Sequence, residues 1–476
     1  MLPALQSPAV TPAGPGDASD WVIEGAAIAT VDPSGTEHAS GHLVVTGGRI
    51  TSVGGGVAPE SAVPQGARRV DAGGCLVTPG FVNTHHHFSQ WLTRGMAADS
   101  ELFDWLTELY PWWAGITADL EHAGALGALC ALAQSGCTTT MDHQYVFPKG
   151  SGDLLAAEVE AAARVGLRFH PSRGSMDLGA SAGGLPPDDV VEDTDAALAA
   201  TDDAISRFHD PSPGAMVRLT VAPCSPFSVT RELMTGAAEL ARRRGVRLHT
   251  HLAETTDEDA YCKEHYGCTP ADYAESLGWL GADVWVAHGV HLTRRARKML
   301  GTSGTGVAHC PSSNGRLGAG IAPVPELRAA GVPVGIGVDG SASNESGELW
   351  TEVRGALLTA RARSGGGALG TRDVLRMATM TGARCLGRED ELGSLEPGKL
   401  ADVAVWRLDT AAHAGIADPV AALTLGSRPP LELLLVGGRP VVEDGRLLTA
   451  DVRQVAREVT DAVRRLGDAA SRAQTS

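Results

Sequence analysis

The chain predicts an α/β protein built on a (β/α)8 barrel, with a small β domain assembled from its two ends. Three observations predict it. Eight short runs rich in β-branched residues alternate with Ala/Leu/Glu/Arg-rich helical stretches over residues 76–390. The flanks, 21–75 and 391–450, share a different texture of short strands and Gly turns. Half of the 16 histidines stand at the ends of the eight runs, where a barrel of this kind carries its chemistry.

Taken in order, residues 1–20 hold several prolines and no Lys or Arg, which predicts a disordered leader rather than a signal peptide. "WVIEGAAIATVD" and "GHLVVTGGRITSVGGG" are the first strands of the β domain. The barrel runs are "CLVTPGFVN", "CTTTMDH", "LRFHP", "VRLTVAP", "VRLHTH", "VWVAH", "TGVAHC" and "PVGIGVD". Between them, "TADLEHAGALGALCALAQSG" places Leu120, Ala123, Leu126, Leu129 and Leu132 on one helical face, with Thr117 as N-cap and Gly136 as stop. "TRELMTGAAELARRRG" repeats this, with Thr230 capping and Gly245 stopping. "GSLEPGKLADVAVWRLD" and "LELLLVGGRPVVEDGRLL" return to the β texture, and 451–476 reads as a C-terminal helix or tail.

With 43% hydrophobic and 20% charged residues, the 476-residue chain reads as a globular enzyme. A net charge of −17 makes nucleic-acid polymers and anionic membranes poor partners. The expected partners are a small nucleobase-like substrate and further copies of the chain. Eight scattered cysteines without a C-x-x-C pair predict a reducing, cytoplasmic setting. No apolar run reaches membrane-spanning length.

"PGFVNTHHHFSQ", residues 79–90, ends the first barrel run in three histidines. Alternation along a strand puts His85 and His87 on one side and His86 on the other. Such an H-x-H pair suits one metal ion. "HTHLAE" adds His251 and, three residues on, Glu254; strand six ends in His288 and strand eight in Asp339. A catalytic divalent ion takes a few imidazoles and a carboxylate and keeps a position open. The expected ligands are therefore His85, His87, His251 and Asp339, with His249, on the same side as His251, as a competitor. Asp339 also takes a proton from the attacking water, Glu254 carries a proton to a ring nitrogen or leaving amine, and His288 polarises the substrate or holds the nucleophile. His143, His170 and His309 either line the pocket or pack in the core. Cys224 and Cys310 read as packing residues.

"PGFVNTHHH", "HLAE", "AHGVHL", "GVDGSASN" and "GSLEPGKLADVAVW" together resemble the amidohydrolase superfamily over about residues 21–450. The resemblance implies a distorted (β/α)8 TIM-type barrel flanked by a small β-sandwich. Strand four, "VRLTVAP", lacks a lysine to be carbamylated, which implies the one-metal deaminase branch, holding zinc or iron. "NTHHHFSQWLTRG", "ELFDWLTELYPWW", "APCSPFSVT" and "HCPSSNGRL" resemble the 8-oxoguanine deaminase family, and the s-triazine hydrolases over the same segments. The implied reaction is 8-oxoguanine and water to urate and ammonia. The alternatives are another ring (isocytosine, guanine or hydroxyatrazine), a non-catalytic scaffold, or an amide-ring hydrolase that releases no ammonia. Gln90 would read a purine amide edge. Gly315, where the family pattern leads us to expect a larger residue, would widen the pocket. The long loop 175–195 reads as a lid, with Tyr145, Arg173 and Trp91 at or beneath it and the first two contacting substrate.

Overall fold

A computed structural model describes residues 19–473, so residues 1–18 of the expected leader lie outside the described chain. Five strands come first: β1 (Trp21–Ala29), β2 (Glu37–Thr46), β3 (Arg49–Gly55), β4 (Arg68–Asp71) and β5 (Cys75–Pro79). The barrel follows, with β6 (Phe81–Asn83), the short β7 (His86–His87), β8 (Cys137–Gln144), β9 (Arg168–Ser175), β10 (Thr220–Pro223), β11 (Arg247–Leu252), β12 (Val284–His288), β13 (Gly306–His309), β14 (Val334–Ile336) and the short β15 (Asp339–Gly340). Four strands close the chain: β16 (Val403–Arg407), β17 (Leu431–Val436), β18 (Arg439–Glu443) and β19 (Arg446–Leu447).

Strands β6 and β8–β14 form a closed parallel barrel of eight, one from each predicted run. The first run divides at Gly80. "CLVTP" pairs with β1 and β16 as part of the outer sheet, and only "FVN" enters the barrel. The expectation of one continuous barrel strand is corrected here, because an unbroken apolar run carries no mark of the change of sheet.

The nine outer strands make one hydrogen-bonded sheet from both chain ends, in the order β19-β18-β17-β16-β5-β1-β2-β3, with β4 beside β1. Side-chain alternation gives each face its own partner. Val403, Val405, Leu433 and Leu435 join Trp21, Ile23 and Leu43 in a separate core, while Ala404, Trp406, Leu434 and Val436 pack into the main core with the barrel.

The helix Ala118–Gln134 starts after Thr117, but the Thr117 hydroxyl bonds the Asp119 carboxylate instead of capping the backbone. Thr230 does cap its helix, accepting from Leu233 N at 3.2 Å, and Gly245 ends it in the left-handed conformation. The C-terminal helix Val452–Ala473 packs against Ala118–Gln134.

Strands one and eight lose their regular pairing where the site begins. Beyond Asn83 and Ile336 the chains meet again only as β7 and β15, with Asp339 opposite His86. Asn83 Oδ1 accepts from Val338 N (3.0 Å), and Asp339 N donates to His85 O (3.1 Å). This seam brings His85, His87 and Asp339 to one place.

Candidate active site

The side chains of His85, His87, His251, His288 and Asp339 converge at the C-terminal end of the barrel. Asp339 Oδ1 lies 3.2 Å from His85 Nε2 and 3.3 Å from His87 Nε2. His87 Nε2 and His251 Nε2 are 3.1 Å apart. His288 Nε2 is 3.6 Å from Glu254 and 3.8 Å from the second oxygen of Asp339.

Hydrogen bonds assign the tautomers, because a carbonyl oxygen only accepts. His87 Nδ1 donates to His143 O (2.7 Å) and His251 Nδ1 to Cys224 O (2.8 Å). His249 Nδ1 donates to Trp285 O (2.9 Å), so its Nε2 accepts from His85 Nδ1 at 2.8 Å. His288 Nδ1 donates to Asn314 Oδ1 (2.9 Å). In the neutral forms of His85, His87, His251 and His288 the remaining lone pair is at Nε2, and these four face one another around the Asp339 carboxylate. Burial above all holds His85 well below the usual imidazole range, and burial followed by His87 and His288 holds His251 down to about 3. Four imidazole Nε2 atoms converging on one carboxylate, with each Nδ1 held from behind, are the donor set of a divalent metal.

The same geometry separates His249 from His251. His249 stands behind His85 as its hydrogen-bond acceptor, while His251 faces the centre. His86 turns away; its Nδ1 accepts from His87 N (2.7 Å) and its ring packs on Phe88. His143 donates from Nε2 to Ala222 O (2.8 Å) and stacks on His251. His170 lies in the field of Arg388 and Arg218, and His309 is buried with no hydrogen bond.

Glu254 follows Ala253, which has a left-handed backbone (φ 54°). The buried Glu258 carboxylate clamps this turn, accepting from Ala253 N (2.9 Å) and Glu254 N (2.8 Å). Burial, and then the charge of Asp339, lift the Glu254 carboxyl well above the ordinary range. His288 and Asp339 also have left-handed backbones, at φ 73° and 65°. Strained backbone gathered at one site is characteristic of functional centres.

A cavity lies over the cluster. His87, His251, Glu254, His288 and Asp339 form its polar side, with Gln90 and Tyr145 beside them. The Tyr145 ring meets His87 edge-on, 5.1 Å between centroids. Gln90 packs against Gly340, where a Cβ would stand 1.7 Å from Gln90 Oε1. The rest of the lining is mainly apolar, from the helix Leu102–Trp113 together with Phe227 and Leu317, with Cys224 and Ser343 among them.

Three expectations are corrected. Arg173 does not reach the cavity: its guanidinium is paired with Glu192 (2.6 and 2.9 Å) and lies over Phe147. Gly315 is exposed on the helix Pro311–Arg316, with open space around it, and does not shape the cavity. The loop after β9 is not a free lid. Leu178 N and Leu185 N bond the carbonyls of Ser228 and Phe227 (both 3.2 Å), so the loop braces the turn that carries Phe227.

The family model described as "Amidohydrolase family" matches residues 76–441. This chain belongs to the amidohydrolase family. Its relatives include an 8-oxoguanine deaminase of Pseudomonas aeruginosa, 45% identical over 87% of this chain and 92% of that one. An isoxanthopterin deaminase of an unknown prokaryotic organism is 39% identical over 83% of this chain and 87% of its own length. The crystal structure of an atrazine chlorohydrolase from Arthrobacter aurescens TC1, complexed with zinc, aligns with a TM-score of 0.87 at 32% identity, covering 93% of this chain and 100% of that one. This amidohydrolase is a hydrolase of C–N bonds in cyclic amidines, as its deaminase relatives are.

Sequence reasoning did not single out four residues of this amidohydrolase's site. Asn314 and Glu258 hold His288 and Glu254, and Trp105 and Phe227 wall the cavity. Trp105 lies among apolar residues at helical spacing, so its sequence signal is that of an ordinary core position.

Proposed function

We propose that this chain is a zinc-dependent deaminase of purine-like bases, converting 8-oxoguanine and water to urate and ammonia. The observation that carries the reading is one cavity holding both the converging Nε2 lone pairs and the unpaired, buried Oε1 of Gln90. The 45% identical deaminase supports the substrate, and the zinc-bound structural neighbour supports the metal.

His85, His87, His251 and Asp339 would hold the ion. When bound, it lowers the pKa of a coordinated water to about 7 and so supplies a nucleophile at neutral pH. Glu254 keeps its proton in the buried site and gives it to the ring nitrogen next to the attacked carbon. Asp339 accepts the proton of the attacking water, the leaving amine receives it, and the hydroxyl proton of the adduct returns to Glu254 as the carbonyl forms. His288 presents Nε2 between the two carboxyls and orients that water. A C–O bond forms, the C–N bond breaks, and ammonia departs. Gln90 orients the base through its carboxamide, and the apolar wall excludes bulk water.

A second reading, hydrolysis at a triazine carbon, is favoured by the structural neighbour and by the apolar wall, which suits an alkylated ring. A cytoplasmic location fits the eight free cysteines, seven of them buried, and no helix among the described residues is long and apolar enough to cross a membrane. The test is amine release from 8-oxoguanine by the zinc-loaded protein, with guanine, isocytosine and hydroxyatrazine alongside. Preferential turnover of 8-oxoguanine supports the proposal, and turnover of hydroxyatrazine alone supports the second reading.

A further inference from the structure

Asp339 keeps its left-handed backbone between two fixed neighbours. The Val338 N–H before it donates to Asn83 Oδ1 (3.0 Å), and the Val338 carbonyl accepts from Asn344 Nδ2 (2.9 Å). After it, the Gly340 carbonyl accepts from the Ser343 hydroxyl (3.0 Å). A residue other than glycine stays in that region only where its surroundings over-determine it. Asn83 is itself tied to the next barrel strand, donating to Thr140 Oγ1 (3.0 Å). The anchor of Asn344 is a carboxylate.

Asn344 Nδ2 also donates to Glu352 Oε1 at 3.0 Å. Glu352 is fully buried in the first turn of the helix Leu349–Ser364, where the helix dipole favours a negative charge. Its remaining partners lie on another loop. Oε2 accepts from Ser312 N (3.0 Å), and Oε1 accepts from the Ser312 hydroxyl. Two residues on from Ser312 stands Asn314, the acceptor behind His288 Nδ1 (2.9 Å). One carboxylate thus joins the loop after β13 to the loop after β15. A second link runs beside it, from the Ser313 hydroxyl to the Ser343 hydroxyl (2.9 Å). Burying a charge carries a desolvation cost that apolar packing of the same volume avoids. Closing two loops does not by itself call for a carboxylate; orienting donors from both of them does.

We propose that Glu352 is a positioning residue of the metal centre, fixing the Asp339 carboxylate through Asn344 and the Val338 carbonyl. Its contacts with Ser312 set the turn that carries Asn314, and so His288, in register with Asp339. The assignment rests on the reading of Asp339 as a ligand given above.

The experiment measures the Kd of zinc, by competition with a chromophoric chelator, in the wild type, Asp339→Asn, Glu352→Gln, Asn344→Ala and the double variant of the last two. Glu352→Gln keeps the volume but sets an N–H against donors. Its Kd should rise by about 10–100-fold. Glu352 reaches Asp339 through Asn344, so Asn344→Ala should weaken zinc to a similar extent, and the double variant by no more than about twofold beyond it. Losses that multiply would make Glu352 an independent structural residue and overturn the assignment, as would an unchanged Kd in Glu352→Gln. If Glu352→Gln does not fold, Glu352→Asp decides. It keeps the charge and withdraws the oxygens by one methylene, so the Kd should rise by about tenfold; a wild-type Kd overturns the proposal. A Kd that Asp339→Asn leaves unchanged would overturn the reading of Asp339 and this assignment together. A Kd weakened in Asp339→Asn but not in Glu352→Gln would overturn the assignment alone.

Discussion

His87 Nε2 and His251 Nε2 face each other across 3.1 Å, and each ring directs Nδ1 to a backbone carbonyl on its other side. With both Nδ1 positions used in this way, the two Nε2 atoms are left facing each other as ligands for an ion between them. Chelation should abolish activity and lower the melting temperature, and zinc at 100-fold over its Kd should restore about 3 kcal/mol. Metal analysis separates the two histidines of strand five. His251→Ala should lose the ion, whereas His249→Ala should keep it with affinity reduced by about 10–100-fold. The reverse pattern would mean the ligands are exchanged.

Glu254→Gln should retain metal and KM while kcat falls by about 10²–10⁴, because only the proton transfer is removed. Full turnover in this variant would exclude Glu254 from the proton path.

Gly340→Ala tests the positioning of Gln90. A Cβ 1.7 Å from Gln90 Oε1 must displace the carboxamide. KM for the base should rise by about tenfold, with metal content unchanged. An unchanged KM would show that Gln90 does not read the substrate.

Glu121, Asp142 and Glu158 form a fully buried acidic group between β8 and the helices Ala118–Gln134 and Leu154–Val165. Burial pushes Asp142 up to about 7; burial, then Asp142, lift Glu158 well above the carboxylate range. Above the unfolded pKa of about 4.3 the native state retains a proton that the unfolded chain releases, so stability falls as pH rises. Glu158→Gln keeps the neutral shape without that proton. It should gain on wild type by about 1.4 kcal/mol per pH unit above about pH 4.3 and lose this advantage at or below that pH, read by urea unfolding on both sides of it. A pH-independent difference would contradict the buried-acid account.

The barrel was legible because parallel strands buried on both faces read as apolar runs and the site residues fall at their ends. Period-two alternation also separated His85 and His87 from His86. It could not separate His249 from His251, which share a face; what each Nε2 meets does that, His85 Nδ1 for His249 and His87 Nε2 for His251. Arg173 follows strand three as a pocket residue would, yet its partner Glu192 lies 19 residues on, beyond any local pattern. Gly315 misled because a missing side chain implies space without saying where the space is.

The left-handed backbones of His288 and Asp339 have a consequence for selection. A side chain in that conformation costs about 1–2 kcal/mol, and glycine meets the same φ without it. Folding alone thus asks for neither histidine nor aspartate at these positions. A library screened only for heat resistance or soluble yield would let both drift toward glycine, leaving well-folded barrels with nothing to catalyse. Any campaign to harden this protein must therefore score turnover in every round.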